Sequence, residues 1–199
     1  MALGKQAKTL TKGQVDSLTA FLLTGRYGLR DQTVFLLSVR AGLRAKEIAN
    51  LKWSMIVTAN GEVGDAIHLT NTASKGRSGR VIPLNKQLRE NLNQMLVAAR
   101  QDRRFHPALS YVVTTERSAH TSPQAVVNMF KRWYDDIGLL GCSSHSGRRT
   151  FITNAARKIS TVGGSLRDVQ ILAGHSSLAV TQRYIEGNSE ASARVVQLI

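Results

Sequence analysis

The sequence predicts a mostly helical α+β domain with a small three-stranded antiparallel sheet, on three observations. Over most of the 199 residues apolar side chains recur every three or four positions, the period of helices with one buried face. Between Met55 and Leu84 that pattern gives way to short β-branched runs separated by turn residues, the signature of paired strands. The composition, 42% hydrophobic with Gly 16 and Pro 3, is that of a folded chain, and the length suits one domain with a sizeable core.

Residues 1–9 are basic and short of core residues, and read as a flexible lead to a domain spanning 10–185. Thr9 or Thr11 caps a first helix through Val15, Leu18, Phe21 and Leu22, one apolar face. Gly25 to Gly28 breaks the chain. A second helix, Asp31 to Arg40, carries Val34, Phe35, Leu36 and Leu37, too apolar for a surface, and belongs in the core. Gly42 ends it as a helix C-terminal glycine. Ala45 to Trp53 reads as a third helix with Ile48 and Leu51 inward. Arg44 and Glu47 are neighbours on one face if that helix begins by Arg44, and by themselves read as a surface ion pair.

Three strands follow: Met55-Ile-Val-Thr58, Ala66-Ile-His-Leu-Thr70 and Arg80-Val-Ile-Pro-Leu84. Asn60-Gly61 and Lys75-Gly-Arg-Ser-Gly79 supply the turns, and Pro83 puts the last strand at an edge or at its own end. Lys75 lies in the second turn, where a lysine by itself is only solvated charge.

Asn85 to Arg103 is a long helix with Leu88, Leu92, Met95 and Leu96 on one side and an arginine-rich end suited to its dipole. Pro107 breaks the chain, and Leu109 to Thr115 is a short extended piece. Thr121 or Ser122 caps a helix with Pro123 at its start. It runs to Ile137 through Val126, Val127, Met129, Phe130 and Trp133, with Lys131 and Arg132 off the apolar stripe; Gly138 and Gly141 end it. His145 to Lys158, Leu166 to Ala173 and Leu178 to Tyr184 are further helices, the first with Phe151, Ile152 and Ala155 inward. The tail, 186–199, sets Val195, Val196, Leu198 and Ile199 behind a polar spacer. It either docks on another surface or forms a final helix on its own domain.

Charge narrows the function. Lys+Arg 27 against Asp+Glu 13 gives +14, so a polyanion, foremost a nucleic acid, is the expected partner. Mere solubility, or a ribosomal type of basicity, is the alternative. Cys142 is the only cysteine, which excludes an internal disulfide and a cysteine-cluster metal site. No cluster of His, Asp, Glu or Cys has metal-ligand spacing, and no cofactor or metal is expected. No apolar run approaches a membrane span and the start of the chain lacks the apolar core of a signal peptide, so no membrane partner and a cytoplasmic location are expected.

Six residues in four stretches form a set: Arg44, Lys75, His145, Arg148, His175 and Tyr184. Attack on a phosphodiester needs its non-bridging oxygens neutralised, a task for arginine's planar fork. It needs a proton taken from the nucleophile and one given to the leaving alkoxide, and a nucleophile held in line. A tyrosine among cations can be that nucleophile, because they favour the phenolate. His68, His106 and His120 have no partners in this pattern and read as structural.

These motifs resemble the tyrosine recombinases, also called phage integrases, from Leu10 to Tyr184. The first arginine box is similar to Ala41-Gly-Leu-Arg44-Ala-Lys-Glu47, the β-turn lysine to Lys75, and the histidine-x-x-arginine box to His145-Ser-Gly-Arg148. Ala173-Gly174-His175 resembles the leucine-glycine-histidine box, with Tyr184 nine residues after its histidine. The resemblance implies the catalytic fold of that family and a site-specific recombinase that cleaves and rejoins DNA through a covalent 3′-phosphotyrosine, in integration, excision or inversion. It implies Tyr184 as nucleophile, Arg44 and Arg148 as the phosphate clamp, Lys75 as the acid for the 5′ oxygen, His145 as carrier of the tyrosine proton, His175 as a phosphate hydrogen-bond donor and Glu47 as support for Arg44. Arg77, Arg80, Lys131, Arg132 and Arg149 are read as DNA-binding. Double-stranded DNA, a tetrameric homo-oligomer linked through the tail and DNA-bending accessory proteins are the implied partners, in a bacterial or phage-derived, nucleoid-associated setting. A DNA-binding regulator on the same fold and a relaxing topoisomerase are the alternatives.

Three departures accompany the resemblance. Ala173 stands where the family has leucine. Gly147 stands where it often has leucine, and is expected to loosen the packing beside Arg148. Family members also carry a helical DNA-binding domain ahead of the catalytic one, whereas catalytic-domain features here begin by Leu10. The chain therefore reads as a small stand-alone member, like the recombinases of fimbrial DNA switches, or as a catalytic fragment.

Overall fold

A computed structural model describes residues 7–74, 78–116, 118–185 and 196–197. Its centre is the helix expected to be too apolar for a surface. Val34, Phe35, Leu36 and Leu37 of α2 (Gly28–Val39) are all fully buried, because three other helices cover it: α1 (Lys12–Leu23), α4 (Lys86–Ala99) and α6 (Ser146–Lys158). Buried polar groups between them are paired, as burial requires. Asn91 of α4 donates to Gln32 Oε1 at 2.6 Å, and Gln32 Nε2 donates to the Thr19 carbonyl at 3.0 Å. One chain of amides thus ties α4, α2 and α1 together.

Thr11, not Thr9, caps α1, in a reciprocal box with Gln14. The preceding residue is tied down as well: the Leu10 N–H donates to Thr150 Oγ1 of α6 at 2.8 Å. Phe21, expected on the buried face, is 39% exposed.

Among the described residues the sheet has two strands, not three. β1 (Ala66–Leu69) pairs antiparallel with β2 (Arg80–Pro83), with Ile67 opposite Ile82 and Leu69 opposite Arg80. The run from Met55 to Thr58 does not join them. Trp53–Met55 is a 3-10 turn, and Val57 meets Val63 in an isolated bridge. Packing explains the difference. Met55 and Ile56 are both buried, at 7% and 1% exposure, whereas a strand would point successive residues to opposite faces.

The third helix, α3 (Ala45–Ala49), is shorter than expected. After it the chain extends alongside residues 110–112: Val112 N–H donates to the Leu51 carbonyl at 2.8 Å and Trp53 N–H to Ser110 at 3.2 Å. α5 (Pro123–Asp136) begins at the Ser122 cap with Pro123 in its first turn and packs on α3, with Val126, Met129, Phe130 and Trp133 buried.

The C-terminal part adds a small second core. Ile152 of α6 meets Val169 and Ala173 of α7 (Leu166–Ala173), with Phe151 and Tyr184 at its margin. Gly174, left-handed at φ 61°, ends α7 and turns the chain into α8 (Leu178–Gln182). Among the described residues no helix is long and apolar enough to cross a membrane. Apart from residues 196–197, the tail expected to dock on a neighbour lies outside the described residues.

Candidate active site

The site is built around one carboxylate. Glu47, on the first turn of α3, is fully buried. Its Oε2 accepts the Arg44 N–H at 2.9 Å and its Oε1 accepts Arg44 Nη1 at 2.8 Å. From the other side Arg80 grips both oxygens, Nη1 to Oε1 at 3.0 Å and Nη2 to Oε2 at 3.1 Å. Burial pushes this carboxyl up, but the hydrogen bonds and charge of Arg80, then of Arg44, outweigh it and hold Glu47 below the ordinary carboxylate range.

Arg148, on the first turn of α6, completes the group with neutral partners. Its Nη2 donates to the Ala173 carbonyl at 2.6 Å and its Nη1 to the Gly42 carbonyl. Burial and the neighbouring Arg44 bring its guanidinium down to about 10, so it stays charged at neutral pH. Three guanidiniums therefore surround one carboxylate. Buried like charges are costly unless compensated, and among the described residues three cations here stand against one carboxylate.

Two glycines let the backbone come this close. Gly42, at φ 66°, offers its carbonyl to Arg148, and an added Cβ would lie 2.4 Å from the Phe151 ring. At Gly174 a Cβ would lie 2.9 Å from Arg80 Nη1. Arg80 Nε meanwhile donates to the Leu172 carbonyl at 2.8 Å, which ties β2 to α7.

His175 and Tyr184 close the site on one side. Their rings stack with centroids 5.2 Å apart and planes at 24°. His175 Nδ1 lies 2.9 Å from Thr181 Oγ1. Burial, then the charges of Arg148, Arg44 and Arg80, bring the imidazole down to about 4, so it is neutral at pH 7. The Tyr184 backbone is held at both ends: its N–H donates to the Thr181 carbonyl at 3.0 Å, and its carbonyl accepts Thr153 Oγ1 at 3.2 Å. An open hollow of about 830 Å³ runs past Tyr184 and Arg148, with His145, Arg149 and Lys8 on its walls. Cations, a neutral imidazole and a phenol beside an open cleft suit an oxyanion diester.

The chain matches the model of the phage integrase family over residues 8–191. It belongs to that family. Among curated relatives it is 31% identical over 180 residues to the tyrosine recombinase XerA of Pyrococcus horikoshii, covering 90% of this chain and 58% of XerA. It is also 31% identical over 186 residues to XerD of Xanthomonas campestris, covering 89% and 54%. The chain thus spans little more than half the length of these relatives. In fold it is similar to the crystal structure of XerA recombinase, with a TM-score of 0.74 at 21% identity over 96% of this chain and 64% of that one. It is likewise similar to the Tn1549 transposon integrase in complex with transposon right end DNA, with a TM-score of 0.76 at 18% identity over 98% and 67%.

The integrase-family fold thus brings together Arg44, Glu47, Arg148, His175 and Tyr184 from three separate stretches. His145 is exposed at the start of α6 and lines the same hollow. Lys75 and Arg77 lie outside the described residues. Lys131 and Arg132 are exposed on α5, and Arg149 is half-buried beside Arg148.

Arg80 requires a correction. Read as a DNA-binding side chain, it is 3% exposed with its guanidinium engaged by Glu47. The strand period carried the signal, since Arg80 and Ile82 share the inward face of β2. Gly147 requires another: it closes the packing rather than loosening it, because an added Cβ would lie 2.5 Å from Ser38 Oγ of α2. Thr181 was missed altogether, being a buried threonine in a five-residue helix with no signal of its own. Among the described residues no group of three or more His, Cys, Asp or Glu could hold a metal ion.

Proposed function

We propose that this chain is the catalytic part of a tyrosine-type site-specific recombinase that cleaves and rejoins DNA strands. The observation that carries the reading is the cluster of three cations, Arg44, Arg80 and Arg148, about the single carboxylate of Glu47, with Tyr184 beside it. Tyr184 Oη attacks phosphorus and the bond from phosphorus to the 5′ oxygen breaks, leaving a 3′-phosphotyrosine. His145 takes the phenolic proton and Lys75 protonates the departing 5′ oxygen. Arg44 and Arg148 hold the non-bridging oxygens as charge develops, the largest electrostatic contribution in such sites. Arg80 does not touch DNA in this scheme; it holds Glu47, and Glu47 holds Arg44. Rejoining reverses these steps with a different 5′ hydroxyl as attacker.

The substrate is double-stranded DNA, in keeping with +14 on the chain, and recombination requires several protomers on that DNA. Residues 186–199 are the proposed link between them.

The test is incubation with a duplex nicked near the cleavage position, which traps the covalent adduct, in excess chelator. Wild type should form the adduct, since the cations of the site are arginines and a lysine. Tyr184→Phe should bind the same duplex and form none. Adduct in the phenylalanine variant would mean that another residue attacks, and dependence on added magnesium would overturn the scheme. DNA binding without adduct by the wild type would favour a regulator on the same fold.

A further inference from the structure

Thr181 has no role in the reaction as proposed, yet it holds both residues that face the phosphate site. Its carbonyl accepts the Tyr184 N–H at 3.0 Å and its hydroxyl lies 2.9 Å from His175 Nδ1. The side chain is fully buried, and among the described residues its hydroxyl has no other hydrogen-bond partner.

A buried hydroxyl must place its hydrogen on some acceptor, and here the acceptor in reach is Nδ1. The imidazole is neutral at pH 7, because burial and the nearby Arg148, Arg44 and Arg80 oppose a further cation. A neutral imidazole has one N–H, and the nitrogen that accepts cannot be the one that carries it.

We propose that Thr181 is a positioning residue: its hydroxyl donates to His175 Nδ1 and fixes the ring as the Nε2–H form, leaving that hydrogen for an oxyanion held by Arg44 and Arg148. In the opposite form Nε2 would present a lone pair to an anion, which is repulsive. The stacking of Tyr184 on the same ring means that a single threonine sets the plane of the imidazole and the backbone of the tyrosine. The catalytic consequence rests on the reading of the site as a phosphodiester site, whereas the hydrogen position does not.

Two measurements separate these. Long-range nitrogen–proton NMR on protein labelled at histidine, at pH 7 without DNA, reads which nitrogen carries the hydrogen, with His175→Gln identifying the signal. The Nε2–H form is expected in wild type and in Thr181→Ser, and a shift toward the Nδ1–H form in Thr181→Val, which keeps the shape and removes the donor. Adduct formation on the nicked duplex should be about 10-fold slower in Thr181→Val at saturating DNA, the low end of the scale seen when the partner that orients a metal-bound histidine is removed, and close to wild type in Thr181→Ser. An Nδ1–H signal in wild type overturns the proposal, and so does a Thr181→Val protein with unchanged hydrogen position and rate. If the valine variant does not fold, the wild-type spectrum decides alone. The Nε2–H form without any adduct would support the assignment while overturning the recombinase reading.

Discussion

At the scale of single residues, the site is a balance of charges that no one motif reveals. Among the described residues Glu47 is the one carboxylate beside three guanidiniums, and although burial pushes it up, Arg80 and Arg44 together hold it below the ordinary range. His175 shows the same field from the other side. Its folded value of about 4 lies below the ordinary 6.5, so between those limits the unfolded chain binds the proton that the folded one refuses. The stabilisation this gives is therefore complete above pH 6.5 and lost as pH falls to about 4. Thermal unfolding followed by circular dichroism should show the wild-type midpoint falling through that interval more steeply than that of His175→Gln. Parallel curves for the two proteins would mean that the imidazole is not held neutral by the fold.

At the scale of elements, helices were legible wherever one face is apolar, and α1, α2, α4, α5, α6 and α7 follow their periodicity to within a few residues. The stretch from Trp53 to Val63 was not, because the adjacent Met55 and Ile56 at the end of a 3-10 turn are both buried instead of alternating along a strand. Glycines mark where elements approach. Gly147 of α6 faces Ser38 of α2 with no room for a methyl group, whereas Gly13 of α1 has nothing within 4 Å of an added Cβ. Gly147→Ala should therefore overpack the crossing and cost about 1–3 kcal/mol, and slow adduct formation because Arg148 is its neighbour in the chain. Gly13→Ala should raise stability by about 0.5–1 kcal/mol. Denaturant unfolding of both variants checks the opposite signs, and a stable Gly147→Ala protein would show that the crossing can yield.

At the scale of the whole molecule, the excess of basic residues predicts a large electrostatic share of DNA binding. The logarithm of the association constant should fall steeply and linearly with the logarithm of salt concentration. Lys131 and Arg132 are exposed on α5, and if each meets a phosphate, Lys131→Ala and Arg132→Ala should each lower the slope by about 1. Fluorescence anisotropy on a labelled duplex across a salt series measures this. Unchanged slopes would place α5 away from the DNA. Arg80→Ala is the informative contrast: buried on Glu47, it should act through folding and the site, not through the slope.

The sequence alone determined the family, because that depends on which residue types stand at which intervals: Arg44 three before Glu47, His145 three before Arg148, His175 nine before Tyr184. It also determined the helical class, since periodicity is a local property. Tertiary structure decided what depends on partners distant in the chain. Arg80 is inward because β2 lays its first residue against α3, and its charge finds Glu47 thirty-three positions away. Arg148 is charged yet bonded to neutral groups, because its described hydrogen-bond partners are the carbonyls of Gly42 and Ala173, which the fold brings from two distant stretches. A side chain's hydrogen-bond partner is a fact about space, and only the folded chain supplies it.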